Sequence, residues 1–177
     1  MPGKSAPAKK IQEMLDEHEA ANPVAKYGGS ASTMQTAAAF AVPAIPLFIF
    51  VSAIMNVTAS GESFVQLLLL AGYVAGVAGL ISVMPAASQQ VFNRLATKFG
   101  VFYSDQPSAA PCSAAAANSI TWRCAAIYLI VAYLAGVNVL PQFGVPAGVS
   151  FSIGSVMGAG ALMLLRNSIV NSVVASE

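Results

Sequence analysis

Charged residues are scarce in this chain of 177 residues, and that scarcity excludes most kinds of soluble protein. Only 8% of the residues are charged, whereas 56% are hydrophobic and the mean hydropathy is +0.70. Soluble domains carry charges on about a quarter of their residues. We therefore expect an integral membrane protein. Because the net charge is only +1, the chain has no large basic surface, and we expect no nucleic-acid partner.

Metal ligands and catalytic motifs are also missing. One histidine and two cysteines, Cys112 and Cys124, are too few for a disulfide framework or for a metal site built from Cys and His alone. His18 precedes the first long apolar run, which excludes a bis-histidine haem within the bundle. No nucleophile elbow, phosphate loop or dinucleotide fingerprint occurs. We expect free thiols, no metal site, no catalytic residue and no enzyme activity.

Four apolar runs free of charged residues and histidine are long enough to cross a bilayer, which takes about 20 residues in a helix. They cover residues 37–55, 64–84, 124–140 and 145–165. The alternating ten-residue strands of an outer-membrane barrel do not appear. The sequence predicts an all-α integral membrane protein with four transmembrane helices in two hairpins, residues 37–84 and 124–165.

The first polar segment, residues 1–36, contains a short amphipathic pattern. Ile11, Met14, Leu15 and His18 recur at helical spacing, and acidic residues cluster on the remaining face. We expect a short surface helix that binds another subunit or the membrane. A solvated, frayed helix is the alternative. Residues 166–177 are expected to form a C-terminal tail.

The second polar segment, residues 85–123, predicts an interfacial helix followed by a linker rich in Ala, Ser and Pro. Phe92, Leu95 and Phe99 share one helical face, which we expect the membrane or a partner to cover. The alternative is that the second span continues past Pro85 as a bent helix. Trp122 and Arg123 are expected to anchor the third span at the interface and to contact partners.

The basic residues are distributed asymmetrically. With four spans, all eight lie on one side of the membrane: Lys4, Lys9, Lys10, Lys26, Arg94, Lys98, Arg123 and Arg166. The positive-inside rule then predicts that both termini lie on the matrix, stromal or cytosolic side.

Small residues at four-residue spacing predict close helix packing, because helices in lipid associate through close backbone approach. The candidates are Gly72, Gly76, Gly79, Gly136, Gly154 and Gly158. Pro43 and Pro46 in the first span predict a fixed kink, and the alternative is that the carbonyls they free act as ligands in a transporter.

The sequence identifies no cofactor. Bound lipid, chlorophyll and carotenoid are the candidate ligands, because a polar side chain such as Gln66 or Asn138 is able to approach a magnesium ion. Hydrogen bonds between helices are the more ordinary role for such residues.

We expect a non-catalytic accessory subunit of an organellar energy-transducing complex, photosynthetic or respiratory, in an inner or thylakoid membrane. Its partners are then other membrane-protein subunits and lipid. The alternative is a small carrier or channel, which needs a polar pathway. Ser150, Ser152, Ser155 and Asn138 are the only residues that the sequence offers for one.

Residues 39–46, with the sequence AFAVPAIP, and the layout of two hairpins resemble the gamma subunit of the translocon-associated protein complex of the endoplasmic reticulum. The resemblance implies an accessory role in protein translocation. That family carries a strongly charged linker between its hairpins. Here the linker has only Arg94, Lys98 and Asp105 before Arg123, so the chain departs from the family where a ribosome-facing role resides.

Overall fold

The computed structural model describes residues 32–54, 63–99 and 109–176, and within these ranges all regular secondary structure is helical. Four long apolar helices confirm the prediction of an all-α protein with four membrane-spanning helices. They are α1 (Thr33–Ile49), α2 (Ser63–Phe99), α3 (Ala109–Tyr133) and α4 (Ala147–Ser176). A π-helical turn, Phe50–Ile54, extends α1, and a π-helix, Leu134–Val139, and a 3-10 turn, Leu140–Phe143, extend α3.

The local sequence explains two of the helix ends. Ser32 and Gln35 form a capping box, in which each side chain accepts a hydrogen bond from the other residue's backbone N–H. Gly144 ends the 3-10 turn with φ of 74°, a left-handed conformation that glycine adopts without strain. Its N–H donates to the carbonyl of Pro141. This tight turn connects α3 to α4.

Helices α2 and α4 run parallel and touch along most of their length. Gly72 lies beside Phe151, Gly79 lies beside Ala159, and Arg94 donates a hydrogen bond to Asn171. Helix α3 runs antiparallel to both. Helix α1 runs antiparallel to α2, and at its start the buried Gln35 side chain donates to the hydroxyl of Ser88.

The exposed large hydrophobic side chains form a belt around the bundle. On α1 the belt begins at Met34, on α2 it ends at Ile81, on α4 it ends at Leu165, and on α3 it begins at Trp122. Lipid tails solvate apolar side chains, and the hydrocarbon layer is about 30 Å thick. Helix α2 has 37 residues and a length of about 55 Å, so it continues far beyond the belt.

The structure corrects the prediction of a separate interfacial helix. Helix α2 passes through Pro85 without a break, as the alternative interpretation proposed. Phe92 and Leu95 are only 1% and 2% exposed, because they pack against other helices of the same chain and not against lipid. Phe99 is the last residue of α2, and its side chain lies outside the described part of the chain.

The predicted linker and tail are also helical where the structure describes them. Residues 109–123 form the first turns of α3, since the alanines that suggested a linker are strong helix formers. Residues 166–176 continue α4. The predicted amphipathic helix around Ile11 and His18 lies outside the described residues.

All six candidate packing glycines lie at helix contacts. A methyl group at Gly158 would meet the Tyr128 ring at 2.9 Å, and one at Gly76 would meet Tyr128 Cζ at 2.9 Å. Gly154 faces backbone, with the Ala132 carbonyl oxygen 2.8 Å from the position a Cβ would take. The others are Gly72 against Phe151, Gly79 against Ala159, and Gly136 against Phe50.

We predict that Gly154→Ala lowers the free energy of unfolding by about 1–3 kcal/mol, because backbone atoms of α3 cannot move away from the added methyl group. The matched control is Gly160→Ala on the same helix, where a Cβ would meet nothing within 4 Å. The control also separates the clash from the better helix propensity of alanine. The stability of both variants is measured by unfolding in detergent, with circular dichroism as the readout. Equal stabilities of the two variants would contradict the assigned contact.

Candidate docking surface at the basic end of the bundle

Three helices extend past the membrane belt on the same side. We call this part the projection, and it comprises residues 86–99 of α2, 109–121 of α3 and 166–176 of α4. The α2 portion alone rises by about 20 Å. The headgroup region on one side of a bilayer is only about 5–8 Å deep, so the tip of the projection reaches the aqueous phase.

The main hydrophobic core of the bundle continues from the spans into the projection. Its members in the projection are at most 3% exposed: Ala87, Val91, Phe92, Leu95, Ala96, Ala116, Ile120, Ile169, Val170 and Val173. Among residues 86–98, 111–121 and 166–176, whose side chains are described, no large hydrophobic side chain is exposed. The three helix ends are therefore packed together beyond the membrane and present a polar surface to water.

Arginine side chains connect the helices of the projection and its base. Arg94 on α2 donates to the side-chain oxygen of Asn171 on α4. Arg123 on α3 donates to the hydroxyls of Ser172 and Ser176 on α4, the latter at 2.9 Å. Arg166 on α4 donates at 3.5 Å to the carbonyl oxygen of Ala86 on α2. All these acceptors are neutral, so within the described ranges no carboxylate is paired with these arginines.

The charge balance of the described residues is one-sided. Arg94, Lys98, Arg123 and Arg166 lie in or beside the projection, and the described ranges contain no acidic residue. All seven acids lie outside those ranges: Glu13, Asp16, Glu17, Glu19, Glu62, Asp105 and Glu177. The arginine guanidinium offers five donors in a planar fork that matches carboxylates. The surface is therefore suited to an acidic partner.

The two residues predicted as an anchor lie where the belt meets the projection. Trp122 is 68% exposed at the edge of the belt, a position that aromatic residues favour at membrane interfaces. Arg123 is half-buried and connects α3 to α4. Arg166 lies just beyond Leu165, the last exposed large hydrophobic residue of α4.

The other candidate residues do not converge on a ligand site. Gln66 and Asn138 are exposed on the outer surface of the bundle, on α2 and in the π-helix after α3. The Ser152 hydroxyl donates to the Leu68 carbonyl at 2.6 Å, and the Ser150 hydroxyl donates to the Val145 carbonyl at 3.2 Å. Ser155 is buried. These three serines lie within helix packing.

An apolar groove of about 330 Å³ lies between α1 and α3, within the membrane belt. Its lining residues are Ile45, Pro46, Ile49, Leu129, Ile130 and Tyr133. No charged side chain is among them, so nothing there recognises a headgroup. The tyrosine hydroxyl is the single side-chain polar group. The groove suits an apolar chain, such as a lipid tail or a carotenoid.

Several contacts were not predicted from the sequence. The bonds of Arg94 and Arg123 to Asn171, Ser172 and Ser176 join residues at least 49 positions apart. Gln35 and Ser88 are 53 positions apart. No spacing in the sequence signals such pairs. Cys112 and Cys124 both lie on α3 and are not joined by a disulfide.

No protein-family model, curated protein or solved structure matches the chain, so its function is argued from the geometry. The resemblance to the translocon-associated gamma subunit therefore depends on residues 39–46 and the hairpin layout alone.

We predict that Phe92→Ala lowers the free energy of unfolding of the projection by about 3–5 kcal/mol, because it opens a cavity in the part of the core that lies there. The control is Asn93→Ala, an exposed neighbour on the same helix, which should cost less than about 0.5 kcal/mol. Hydrogen exchange should rise in residues 86–98 and 166–176 of the Phe92 variant, whereas the spans stay protected. Exchange equal to the wild type would refute the buried position.

Proposed function

We propose that the chain is a non-catalytic accessory subunit of a larger membrane complex and that the projection contacts a neighbouring subunit. The projection is the observation that carries this proposal. It is a packed, polar, basic body that extends the bundle by about 20 Å beyond the lipid. Such a body presents fixed charges to a partner at a defined distance from the membrane.

The interior of the membrane belt supports the accessory role over the carrier or channel. Leu80, Tyr128 and Leu162, from three different helices, fill the centre and are fully buried. The apolar runs contain no Asp, Glu, Lys, Arg or His, although transport pathways for ions and protons are usually lined by such residues. The Ser150 and Ser152 hydroxyls donate to helix carbonyls, which favours packing over solute binding. The buried Ser155 hydroxyl has no hydrogen-bond partner within the described residues.

The partner that this surface favours is a membrane-protein subunit with an acidic loop or domain. Arg94 and Lys98 are exposed near the tip of the projection, about 12 Å and 18 Å beyond Ala86 along the helix. These distances exceed the depth of the headgroup region, so the two charges suit a protein partner better than lipid. The proposed assembly is an organellar energy-transducing complex, and its proposed location is an inner or thylakoid membrane. The composition of the chain is the one observation behind this part of the proposal.

The charge asymmetry supports one orientation, with the projection on the matrix, stromal or cytosolic side. We predict that an impermeant maleimide labels Cys112 only when it has access to that side. Cys112 is half-buried, whereas Cys124 is fully buried and should stay unlabelled. The matched variant is Gln142→Cys in a Cys112→Ser background, which should react from the opposite side. Labelling of both positions from one side would refute the four-span arrangement.

Native purification tests the accessory role directly. We expect the chain to migrate in mild detergent with other membrane proteins at fixed stoichiometry, and Arg94→Glu to reduce that association at least tenfold. Arg94→Gln is the control, because it keeps a donor for Asn171 while removing the charge, so its effect should be smaller. A chain that purifies alone and moves a solute across vesicles would replace this proposal with the carrier.

A further inference from the structure

We propose that the acidic residues 11–21 of the chain dock on the basic projection of the same molecule. This inference goes beyond the proposed function and does not depend on it, because it concerns the isolated chain. The projection is the surface, and the occupant is a named segment that lies outside the described residues. Three observations support the pairing: charge, reach and the polarity of the surface.

The charges of the two partners are complementary. Residues 11–21 contain Glu13, Asp16, Glu17 and Glu19 and no lysine or arginine. The projection and its base carry Arg94, Lys98, Arg123 and Arg166. Asp105 and Glu177 adjoin the same helices, so the four positive and two negative charges leave an excess of +2. Residues 11–21, of charge −4, are therefore attracted to this end of the bundle, whereas the flanking Lys4, Lys9, Lys10 and Lys26 are repelled by it.

The connection between the two has a suitable length. Helix α1 begins after Ser32, and Gln35 at its start bonds to Ser88 at the base of the projection. Twelve residues lie between Glu19 and Ser32. A flexible chain of that length spans about 20 Å on average. Arg94 and Lys98 lie only about 9 Å and 15 Å beyond Ser88 along α2, which is well within reach.

The polarity of the surface indicates how the segment is held. No large hydrophobic side chain is exposed in residues 86–98, 111–121 and 166–176, so charge is the attraction that these described side chains offer. Single exposed ion pairs contribute little. The tether compensates for this, because a short linker raises the effective concentration to the millimolar range. The docking should consequently weaken as salt shortens the Debye length from about 10 Å to about 3 Å.

Occupation has a mechanistic consequence. An acidic segment on the projection covers the same guanidinium groups that an acidic partner would bind. The segment is then a built-in competitor that must leave when a partner with higher affinity arrives. Docking also keeps the basic surface covered in the isolated chain, which limits nonspecific binding to other anionic molecules.

Distance measurements between two spin labels test the proposal on the full chain in neutral-lipid nanodiscs. The labels are attached to Ala20→Cys and Asn93→Cys in a Cys112→Ser background, and the buried Cys124 is left in place. At low salt we expect a narrow distribution of distances between the two labels, centred at about 20 Å or less, which is the span of the tether. At about 1 M salt we expect a broad distribution, since screening removes the attraction.

Charge reversal separates electrostatic docking from other contacts. Lysine substitution of Glu13, Asp16, Glu17 and Glu19 should broaden the distribution at low salt, and adding Arg94→Glu and Lys98→Glu should narrow it again. Lys26→Glu, outside the acidic segment, is the control and should leave it narrow. Thermal unfolding confirms that each variant keeps the bundle. A broad wild-type distribution at low salt, or a narrow one that survives the fourfold reversal, would overturn the proposal.

Discussion

The Tyr128 ring between Gly76 and Gly158 is the contact on which the arrangement of the bundle depends. Lipid tails are as apolar as leucine, so burial from water does not drive the helices together within the bilayer. They associate where backbones approach closely and one large side chain fills the space that the small residues leave. Tyr128 is fully buried, with α2 on one side and α4 on the other. This contact sets the parallel register of α2 and α4, which the pairs Gly72 with Phe151 and Gly79 with Ala159 then continue along the bundle.

That register, combined with helix length, produces the projection. A hydrocarbon layer of about 30 Å holds only about 20 residues of a helix, whereas α2 has 37 residues and α4 has 30. Because the two helices run parallel and in register, the residues that exceed the thickness of the hydrocarbon layer emerge on the same side. The antiparallel α3 begins there too. Three amphipathic ends then bury Phe92, Leu95 and Val170 against one another, and the arginine bonds to α4 hold the ends together.

The sequence predicted the spans and the packing glycines because both follow from the properties of lipid. Hydropathy over 20 residues and small residues at helical spacing are local signals. The projection was misinterpreted because an apolar stripe looks the same whether it faces lipid, a partner subunit or another helix of its own chain. For this reason Phe92 and Leu95 were predicted to face the membrane or a partner. The alanine-rich composition of residues 109–123 suggested a linker, although alanine also favours helices. Long-range pairs such as Gln35 with Ser88 have no local signal at all, since they arise only when the register is set.

The position of the charges connects this architecture to its proposed role. Basic residues at one end of a membrane bundle serve orientation, but orientation requires no particular depth, and headgroups satisfy only charges close to the lipid. Arg166 lies at that boundary and the Arg123 guanidinium reaches Ser172 and Ser176 of the projection, whereas Arg94 and Lys98 are carried beyond the boundary by a helix that continues through Pro85. The three packed helices hold these two charges beyond the headgroups. A protein partner, or an acidic segment of the same chain, is able to reach them there. A surface held at that height is more consistent with recognition than with anchoring.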